Sequence, residues 1–531
     1  MRVNQVSVLE LSRRARLAVS QRHWAAVETA ANSILRIDEH SAEGWFLSGL
    51  YQQSQRQLGA AMHAFEYAWQ LAPERYDAAI ELAGLKRQQL HHAEAVQILQ
   101  QVGPLCHQSS LYSHKAAQIY TRLGLHESAN PFYRRAVAIQ PDAASLKASL
   151  ATNTTLLGNI DEARLLLNDL LHRYPKHQRH HWELAALRSA QDDHHLRQMQ
   201  QLLEASDEPD ERNIFLLYAI GKESEDLERW ESAFDCYQRA GAAAVRLASA
   251  SGYQIGQDTA PLDALPSLCS RDWCAQHVTS SASKDNELTP IFVVGLPRTG
   301  TTLVERILSS HSNVDSADET FFLPIALRQA IQSTDYTNPD LTVADLTRVA
   351  ETSLREVAKT YSDLVRYRLD GAQYFVDKYP LNFKNLGFIC AAFPNAKIVL
   401  LDRHPMDACF ALFKQPYFNF AYRLDHLADY YLAYDRLRRH WLASLGERIT
   451  SVNYEALVTE PQREIARLLD KLELPIEQAC FDFHTNQSAS ATASSVQVRE
   501  AMHRRSVQKW VNWERQLAPL SASLLAAGVS V

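Results

Sequence analysis

The pattern of hydrophobic and polar residues divides the chain into two parts with different periods. In the first part, apolar residues recur at helical spacing, and a small residue returns about every 34 positions. In several units a large apolar residue follows after four positions and a proline ends the second helix, as at Ala61, Phe65 and Pro73. Short helix pairs cannot bury their apolar faces alone, so this period predicts stacked helical hairpins. The returning alanines are Ala26, Ala61, Ala95, Ala129, Ala163 and Ala233.

The second part contains short, continuous apolar runs that alternate with helical patterns. Continuous runs are typical of parallel strands that are covered on both faces, and their alternation with helices indicates an α/β domain with a parallel sheet. The four predicted strands lie at residues 291–294, 374–378, 398–401 and 449–454. The predicted fold class is therefore an N-terminal all-α superhelix followed by a C-terminal α/β domain. We place the helical array at 8–240, a linker at 241–289 and the α/β domain at 290–520.

A glycine-containing loop joins the first predicted strand to a helix. Gly295 and Gly300 enclose four residues, and Thr301 and Thr302 follow. Such a loop brings backbone N–H groups and the positive end of a helix dipole to one point, which suits a phosphate group. A loop that hydrolyses ATP or GTP would carry lysine where this chain has Thr301. This difference argues against an NTPase and leaves Arg298 as the cation of the loop.

Three further charged residues follow the loop. Glu319 lies in an Asp-Glu-Thr sequence, where it is a candidate general base or, alternatively, an acid in the first turn of the next helix. Lys378 ends a strand, and a residue in that place points into the crevice where open α/β sheets bind ligands, unless it is a surface lysine. Arg403 follows the next strand and can bind a second phosphate through two hydrogen bonds. The domain therefore offers two anion sites.

Composition adds mainly exclusions. The 531 residues carry a net charge of −7, so we expect no nucleic-acid partner. No apolar run is long enough for a signal peptide or a membrane span. Seven scattered cysteines indicate reduced thiols and a cytoplasmic location. Histidines cluster at 177–181 and 194–195, but no cysteine or carboxylate pattern completes a metal site, so we expect solvated helix faces and no metal.

These motifs resemble two known families. The helix pairs resemble tetratricopeptide repeats, in six or seven units. The C-terminal domain resembles the sulfotransferases that use 3′-phosphoadenosine 5′-phosphosulfate (PAPS), in particular the tyrosylprotein branch and the bacterial proteins that fuse it to such repeats. The motifs that carry this resemblance are Pro297-Arg298-Thr299-Gly300-Thr301-Thr302, Asp377-Lys378-x-Pro380, Arg403-His-Pro405-x-Asp407, Tyr454-Glu455-x-Leu457 and Ser495-x-Gln497-Val498 with Lys509-Trp510.

The resemblance implies a role for each matching residue. The loop would hold the 5′-phosphosulfate of PAPS, Arg403 would bind the 3′-phosphate, and the segment from Ser495 to Arg504 would close over the nucleotide with Lys509. Glu319 would accept the proton of the acceptor hydroxyl, while Lys378 and Arg298 would stabilise charge on the departing phosphate. No metal is implied. The residues expected to contact PAPS or its product PAP are Arg298, Thr299, Gly300, Thr301, Thr302, Arg403, Tyr454, Ser495 and Lys509.

Two features depart from the family pattern. Ala411 stands where a serine usually binds the 3′-phosphate, so that Cys409 or a backbone N–H would have to replace it. Phe321 and Phe322 stand where the tyrosylprotein branch has basic residues. We expect sulfuryl transfer to a hydroxyl, first of all a tyrosine of a peptide or protein bound by the repeat groove. The alternatives are a carbohydrate, lipid or small metabolite as acceptor, an inactive repeat-containing adaptor, and a repeat array that serves as a scaffold or homodimer surface.

Overall fold

The computed structural model describes residues 2–106, 108–278, 288–333, 340–490, 492 and 496–531. The chain divides into two compact units, Met1–Asn153 and Thr154–Val531. The predicted domain boundaries stay a prediction, because these units follow a different division. The first unit is helical throughout, and the second contains further helix pairs together with a parallel sheet.

The first unit consists of consecutive helices, in which neighbouring helices pack in pairs. Ala61, Ala95 and Ala129 are fully buried, as the period of small residues predicts. Ala26 is exposed instead, and its neighbour Val27 occupies the buried position, so the predicted register of the first repeat is wrong by one residue. The helices are α1 (Arg2–Ser20), α2 (Trp24–Ile37), α3 (Ala42–Ser54), α4 (Leu58–Leu71), α5 (Tyr76–Gln88), α6 (His92–Cys106), α7 (Ser110–Arg122), α8 (His126–Ile139) and the greater part of α9 (Ala144–Leu156).

The second unit begins with helices of the same kind and continues without a long gap towards the sheet. Ala163 and Ala233 are fully buried, as predicted. Two helices lie inside the predicted linker, and Trp273 on the second of them donates to the carbonyl of Ala350 at 3.0 Å. The helices are α10 (Ile160–Arg173), α11 (Gln178–Ala186), α12 (His194–Glu204), α13 (Ile214–Asp226), α14 (Trp230–Ala250), α15 (Gly256–Leu268) and α16 (Arg271–His277).

Three of the clustered histidines are buried, so the expectation of solvated faces is wrong for them. His181 and His195 are joined at 2.9 Å, and His195 contacts Glu223 at 2.6 Å. Because a carbonyl oxygen only accepts, His181 donates its Nε2–H to Pro175, and its Nδ1 accepts from His195. Burial lowers the pKa of His181 and keeps it in this neutral form. Within the described residues no group of three or more ligands could hold a metal ion.

A five-stranded parallel sheet forms the centre of the C-terminal part. Its strands are β1 (Thr289–Gly295), β2 (Val314–Asp318), β3 (Tyr374–Asp377), β4 (Lys397–Asp402) and β5 (Ile449–Asn453), in the order β2-β3-β1-β4-β5. The predicted fold class, an all-α array followed by an α/β parallel-sheet domain, is confirmed. Sequence reasoning missed β2, because its sequence Val-Asp-Ser-Ala-Asp lacks the apolar run of a covered strand.

Helices cover both faces of the sheet and connect its strands. They are α17 (Thr301–Leu308), α18 (Phe322–Ala330), α19 (Val343–Ala350), α20 (Arg355–Val365), α21 (Leu386–Ala392), α22 (Pro405–Phe413), α23 (Leu424–Leu445), α24 (Tyr454–Thr459), α25 (Pro461–Lys471), α26 (Gln478–Phe481) and α27 (Glu514–Ala526). After β1 the chain builds β2 and β3 on one side and then crosses to β4 on the other. Open α/β sheets bind ligands at the carboxyl ends of the strands beside such a reversal.

Candidate active site

The loop after β1 carries backbone strain at its charged residue. Arg298 has φ of +70° and Gly300 has φ of +98°, and both values lie in the left-handed region. Residues held in such conformations cluster at functional sites. Thr299 stabilises the loop by donating its hydroxyl to the carbonyl of Leu296 at 2.7 Å. Helix α17 then begins at Thr301 without a side-chain cap, so its first N–H groups suit an anion.

The end of β3 brings Lys378 and Glu319 together. The side chain of Lys378 is fully buried, and its ammonium forms an ion pair with the Glu319 carboxylate. Glu319 follows β2, and its side chain is 34% exposed, so the carboxylate is open to an approaching molecule. The two strand ends are aligned because the Lys378 N–H donates to the Asp318 carbonyl at 3.1 Å. Lys378 is therefore not a surface lysine.

Asp377 stabilises the residues next to the Lys378–Glu319 ion pair, and it was not among the predicted site residues. Its buried carboxylate accepts from the hydroxyls of Tyr361 at 2.7 Å and Thr320 at 2.8 Å. Burial raises the pKa of Asp377 to about 6, although these hydrogen bonds oppose the rise. The bond to Thr320 fixes the residue next to Glu319. The only sequence signal for Asp377 is its place directly before the lysine.

The helix that follows Glu319 does not use it as a cap. Helix α18 begins at Phe322, and no side chain caps its N-terminus. Phe322 is buried under the guanidinium of Arg368, which lies 5.5 Å from the ring centroid. Phe321 is 47% exposed and packs edge-on against Tyr379 at 5.0 Å. An apolar ring therefore lies beside Glu319, and the alternative role of this carboxylate as an acid in the first turn of the next helix is wrong.

Arg403 connects the loop to the C-terminal part of the chain. It donates to the carbonyls of Arg298 at 2.7 Å and Ser506 at 2.6 Å, and its guanidinium lies 4.7 Å from the Tyr454 ring centroid. Its buried Nε has no hydrogen-bond partner and can still donate. Burial lowers the pKa of Arg298, and the nearby charge of Arg403 lowers it further. Two cations therefore converge at the carboxyl ends of β1 and β4.

The segment 506–510, which we call the strap, is held over α22. Asp407 accepts from the backbone N–H groups of Gln508 at 2.6 Å and Trp510 at 3.1 Å. The Trp510 ring is stacked on His404 at a centroid distance of 5.7 Å. The strap therefore carries Lys509 to the same end of the sheet. Ser495, the remaining predicted nucleotide ligand, lies outside the described residues.

Lys509 is bound by a carboxylate that sequence reasoning did not identify. Glu225 on α13 contacts the ammonium groups of Lys509 at 2.5 Å and Lys414 at 2.8 Å, and it accepts from the Tyr237 hydroxyl at 2.9 Å. Burial alone would raise the pKa of Glu225, but the two ammonium groups lower it to about 2. A repeat-type helix thus positions a residue of the predicted nucleotide site.

The departure at Ala411 is not offset by a neighbouring thiol. Ala411 is partly exposed on α22, whereas Cys409 is fully buried. Burial raises the pKa of the Cys409 thiol well above its ordinary value. The thiol is therefore a poor hydrogen-bond donor for a phosphate, and it lies in the core. Of the two substitutes considered from the sequence, a backbone N–H is the one that this arrangement still allows.

Comparison with known proteins identifies the class of the C-terminal domain. Residues 290–478 match the model of the Sulfotransferase family. An uncharacterised protein of Aquifex aeolicus is 33% identical over 240 residues, which are 44% of this chain and 31% of that protein. Protein-tyrosine sulfotransferase 1 of Danio rerio is 23% identical over 295 residues, which are 52% of this chain and 81% of that protein. The chain thus spans about a third of the Aquifex protein and most of the Danio protein.

Solved structures match the two parts of the chain separately. A sulfotransferase domain of the curacin biosynthetic pathway is 17% identical, covers 46% of this chain and all of its own length, and has a TM-score of 0.32. The tetratricopeptide repeat protein YrrB is 13% identical, covers 36% of this chain and 97% of its own length, and has a TM-score of 0.31.

Residues 290–478 are thus similar to the Sulfotransferase family, and they follow an array of paired helices. The predicted resemblance of the C-terminal domain to sulfotransferases is thereby confirmed. No helix among the described residues is long and apolar enough to cross a membrane.

Proposed function

We propose that the protein transfers the sulfuryl group of PAPS to a hydroxyl, and that the preferred acceptor is a tyrosine of a peptide or protein. The observation that carries this proposal is the arrangement of Arg298, Glu319, Lys378 and Arg403. Each of them follows a different strand, and all four strand ends lie at one edge of the sheet. The set provides cations for a ligand with several anionic groups and one accessible carboxylate for a proton.

The donor set fits PAPS without a metal ion. The loop N–H groups, the threonine hydroxyls and Arg298 suit the 5′-phosphosulfate, while the unpartnered Nε of Arg403 suits the 3′-phosphate. Gly300 lets Tyr454 approach the loop, since a Cβ there would lie 2.6 Å from the tyrosine ring. Loop, ring and guanidinium thus form one continuous surface for the nucleotide.

The reaction makes one bond to sulfur and breaks another. The acceptor oxygen attacks the sulfur, the bond from sulfur to the phosphate oxygen breaks, and PAP leaves with the negative charge. Glu319 takes the acceptor proton, and its ion pair with Lys378 requires the ionised form that can accept one. Lys378 and Arg298 stabilise the charge on the leaving oxygen, as preorganised cations do in a water-poor site.

The choice of a tyrosine acceptor rests on the likeness to protein-tyrosine sulfotransferases. The exposed ring of Phe321 beside Glu319 favours an aromatic or apolar acceptor over a strongly acidic one. Ala411 favours the alternative of an inactive adaptor, since one ligand of the 3′-phosphate is missing from the side chains. We further propose a reducing, cytoplasm-like environment, because all seven cysteines are free and buried, and a peptide partner for the repeats. A homodimer stays a prediction.

The direct test combines binding and transfer with the full chain. We expect PAP to bind in calorimetry and labelled sulfate to pass from PAPS to tyrosine peptides. Transfer to small alcohols or sugars, with none to the peptides, would show that the acceptor is a carbohydrate or metabolite and not a tyrosine. If PAP does not bind at all, the chain is an adaptor and the proposed activity is wrong.

Changing Gly300 to alanine is expected to raise the Kd for PAP about tenfold or more. The new Cβ would meet the Tyr454 ring at 2.6 Å, and the φ of +98° would itself cost about 1–3 kcal/mol. The matched control is Gly371→Ala, because Gly371 has φ of +106° and open space at its Cβ. The control should lower the melting temperature without changing the Kd. Equal effects of the two changes on the Kd would show that the contact with Tyr454 is unimportant for the nucleotide.

A further inference from the structure

Partly exposed aromatic rings extend from the loop cation onto the repeat-type helices. Tyr417 follows α22 and is 50% exposed. Three residues earlier, Lys414 contacts the same Glu225 carboxylate as Lys509, at 2.8 Å, which places this segment next to the predicted nucleotide site. Burial raises the pKa of Tyr417, and the charge of Arg298 opposes the rise, in agreement with this placement. Its ring packs edge-on against Trp182 of α11 at 6.0 Å, and Trp182 packs edge-on against Phe215 of α13 at 5.7 Å. The three rings form a continuous surface that begins beside Arg298.

Other side chains already hold the helices together at this place. Phe234 of α14 and Phe413 of α22 are buried and stacked at 5.6 Å. Trp513 donates to the carbonyl of Trp230 at 2.7 Å. A purely structural role for Tyr417 would call for a buried ring, as at these positions. Its exposure, together with its place beside Arg298, points to contact with a ligand.

The charges around the three rings suit an uncharged ligand. Arg179 lies 6.0 Å from the Phe215 centroid and is paired with Glu183 at 3.1 Å. Both of these residues also act on the pKa of Tyr417, the cation lowering it and the carboxylate raising it. The Arg179–Glu183 pair adds no net charge, and Arg298 is assigned above to the phosphosulfate, so these residues do not favour an acidic sequence. Aromatic rings at the edge of a site instead favour stacking and edge-on contacts with another ring.

We propose that Tyr417, Trp182 and Phe215 form the acceptor-binding wall of the active site. This inference rests on the proposed function and names its substrate class: a phenolic hydroxyl in apolar surroundings, and not a tyrosine in an acidic sequence. Helices α11 and α13 then contribute specificity-determining residues, and the repeats are part of the site itself. The wall and Phe321 would contact the acceptor, while Glu319 accepts the proton from its hydroxyl.

The test measures the KM and kcat of the full chain with two tyrosine peptides, one with apolar and one with acidic neighbours. Trp182→Leu and Tyr417→Leu should each raise the KM for the apolar peptide about five- to tenfold, as expected for the loss of an aromatic contact, with kcat and the Kd for PAP nearly unchanged. Tyr174→Leu is the matched control, because Tyr174 is also an exposed aromatic residue, at 47%, and follows neighbouring α10. It should leave every parameter unchanged.

The possible outcomes separate this inference from the proposed function. A wild-type chain that binds no PAP or transfers no sulfate refutes the proposed function. A wild-type chain that is active, with a KM that neither wall substitution changes, refutes the wall alone. A lower KM for the acidic peptide refutes the assigned substrate class. A fall in PAP affinity and melting temperature with an unchanged acceptor KM would show that the rings are structural, and it would also overturn the proposal.

Discussion

Replacing Glu319 with glutamine is expected to lower kcat for sulfuryl transfer by ~10²–10⁴-fold, the usual contribution of one well-placed general base. Glutamine keeps the size of the side chain but cannot take the acceptor proton. The Kd for PAP should stay within about twofold, because Glu319 is proposed to contact the acceptor and not the nucleotide. The measurement is steady-state transfer from labelled PAPS, with calorimetry for PAP.

Two controls make this test specific. Glu356→Gln removes an exposed carboxylate on α20 and should leave kcat unchanged. With a phenolic acceptor, the residual rate of Glu319→Gln should rise with pH, since the phenol ionises with a pKa of about 10 and then needs no base. A kcat within about threefold of the wild type would remove Glu319 from the role of base.

Residues that directly follow an apolar strand could be placed from the sequence. Arg298 and Arg403 follow the runs of β1 and β4, and Lys378 follows β3, so the rule for carboxyl ends of parallel strands brings them to one edge. The structure places all three there. Two pieces of information were enough: where each apolar run ends and that the strands are parallel. A continuous apolar run provides both, because it is typical of a parallel strand that is covered on both faces.

Other parts of the site leave no comparable signal in the sequence. The polar strand β2 resembles a loop, although it sets the position of Glu319. Glu225 is on a repeat-type helix and meets Lys509 from 284 positions earlier in the chain, a pairing that only tertiary packing creates. The sequence around Trp182 is typical of a core residue of a repeat, and only the structure shows its contact with Tyr417. Short-range patterns predict elements and their ends, whereas these contacts depend on how distant helices pack.

The first repeat and the histidine cluster show how small errors arise. The returning alanine at 26 satisfies a period of about 34 residues as well as Val27 does, and only burial separates the two. Histidine is a residue type that is often exposed to solvent. His181 is buried instead, and both of its ring nitrogens form hydrogen bonds inside the protein, with Pro175 and His195. Composition alone cannot distinguish a satisfied buried polar side chain from an exposed one.

Replacing Lys378 with methionine is expected to lower kcat by about 10²–10³-fold, the effect of removing one preorganised stabilising group from a transition state. Methionine fills much of the buried volume of the lysine but carries no charge for the leaving oxygen. The partly exposed Glu319 can then turn to solvent, so the fold should survive. Lys384→Met is the control, because Lys384 is also largely buried, but its carboxylate partner is Asp340, at 2.8 Å, and not Glu319. It should lower the melting temperature and leave kcat nearly unchanged.

The double variant of Glu319→Gln and Lys378→Met decides whether the pair acts as a unit. If the lysine both holds the carboxylate and stabilises the leaving oxygen, adding one substitution to the other should lower kcat much less than the same substitution does in the wild type. The reason is that groups that act together have non-additive effects. Additive losses would mean that base and cation work independently and that the observed ion pair belongs to the ligand-free state only. A large rise in the Kd for PAP with an unchanged kcat would instead make Lys378 a nucleotide-binding residue. The kcat of the single and double variants, measured with saturating PAPS, separates these cases.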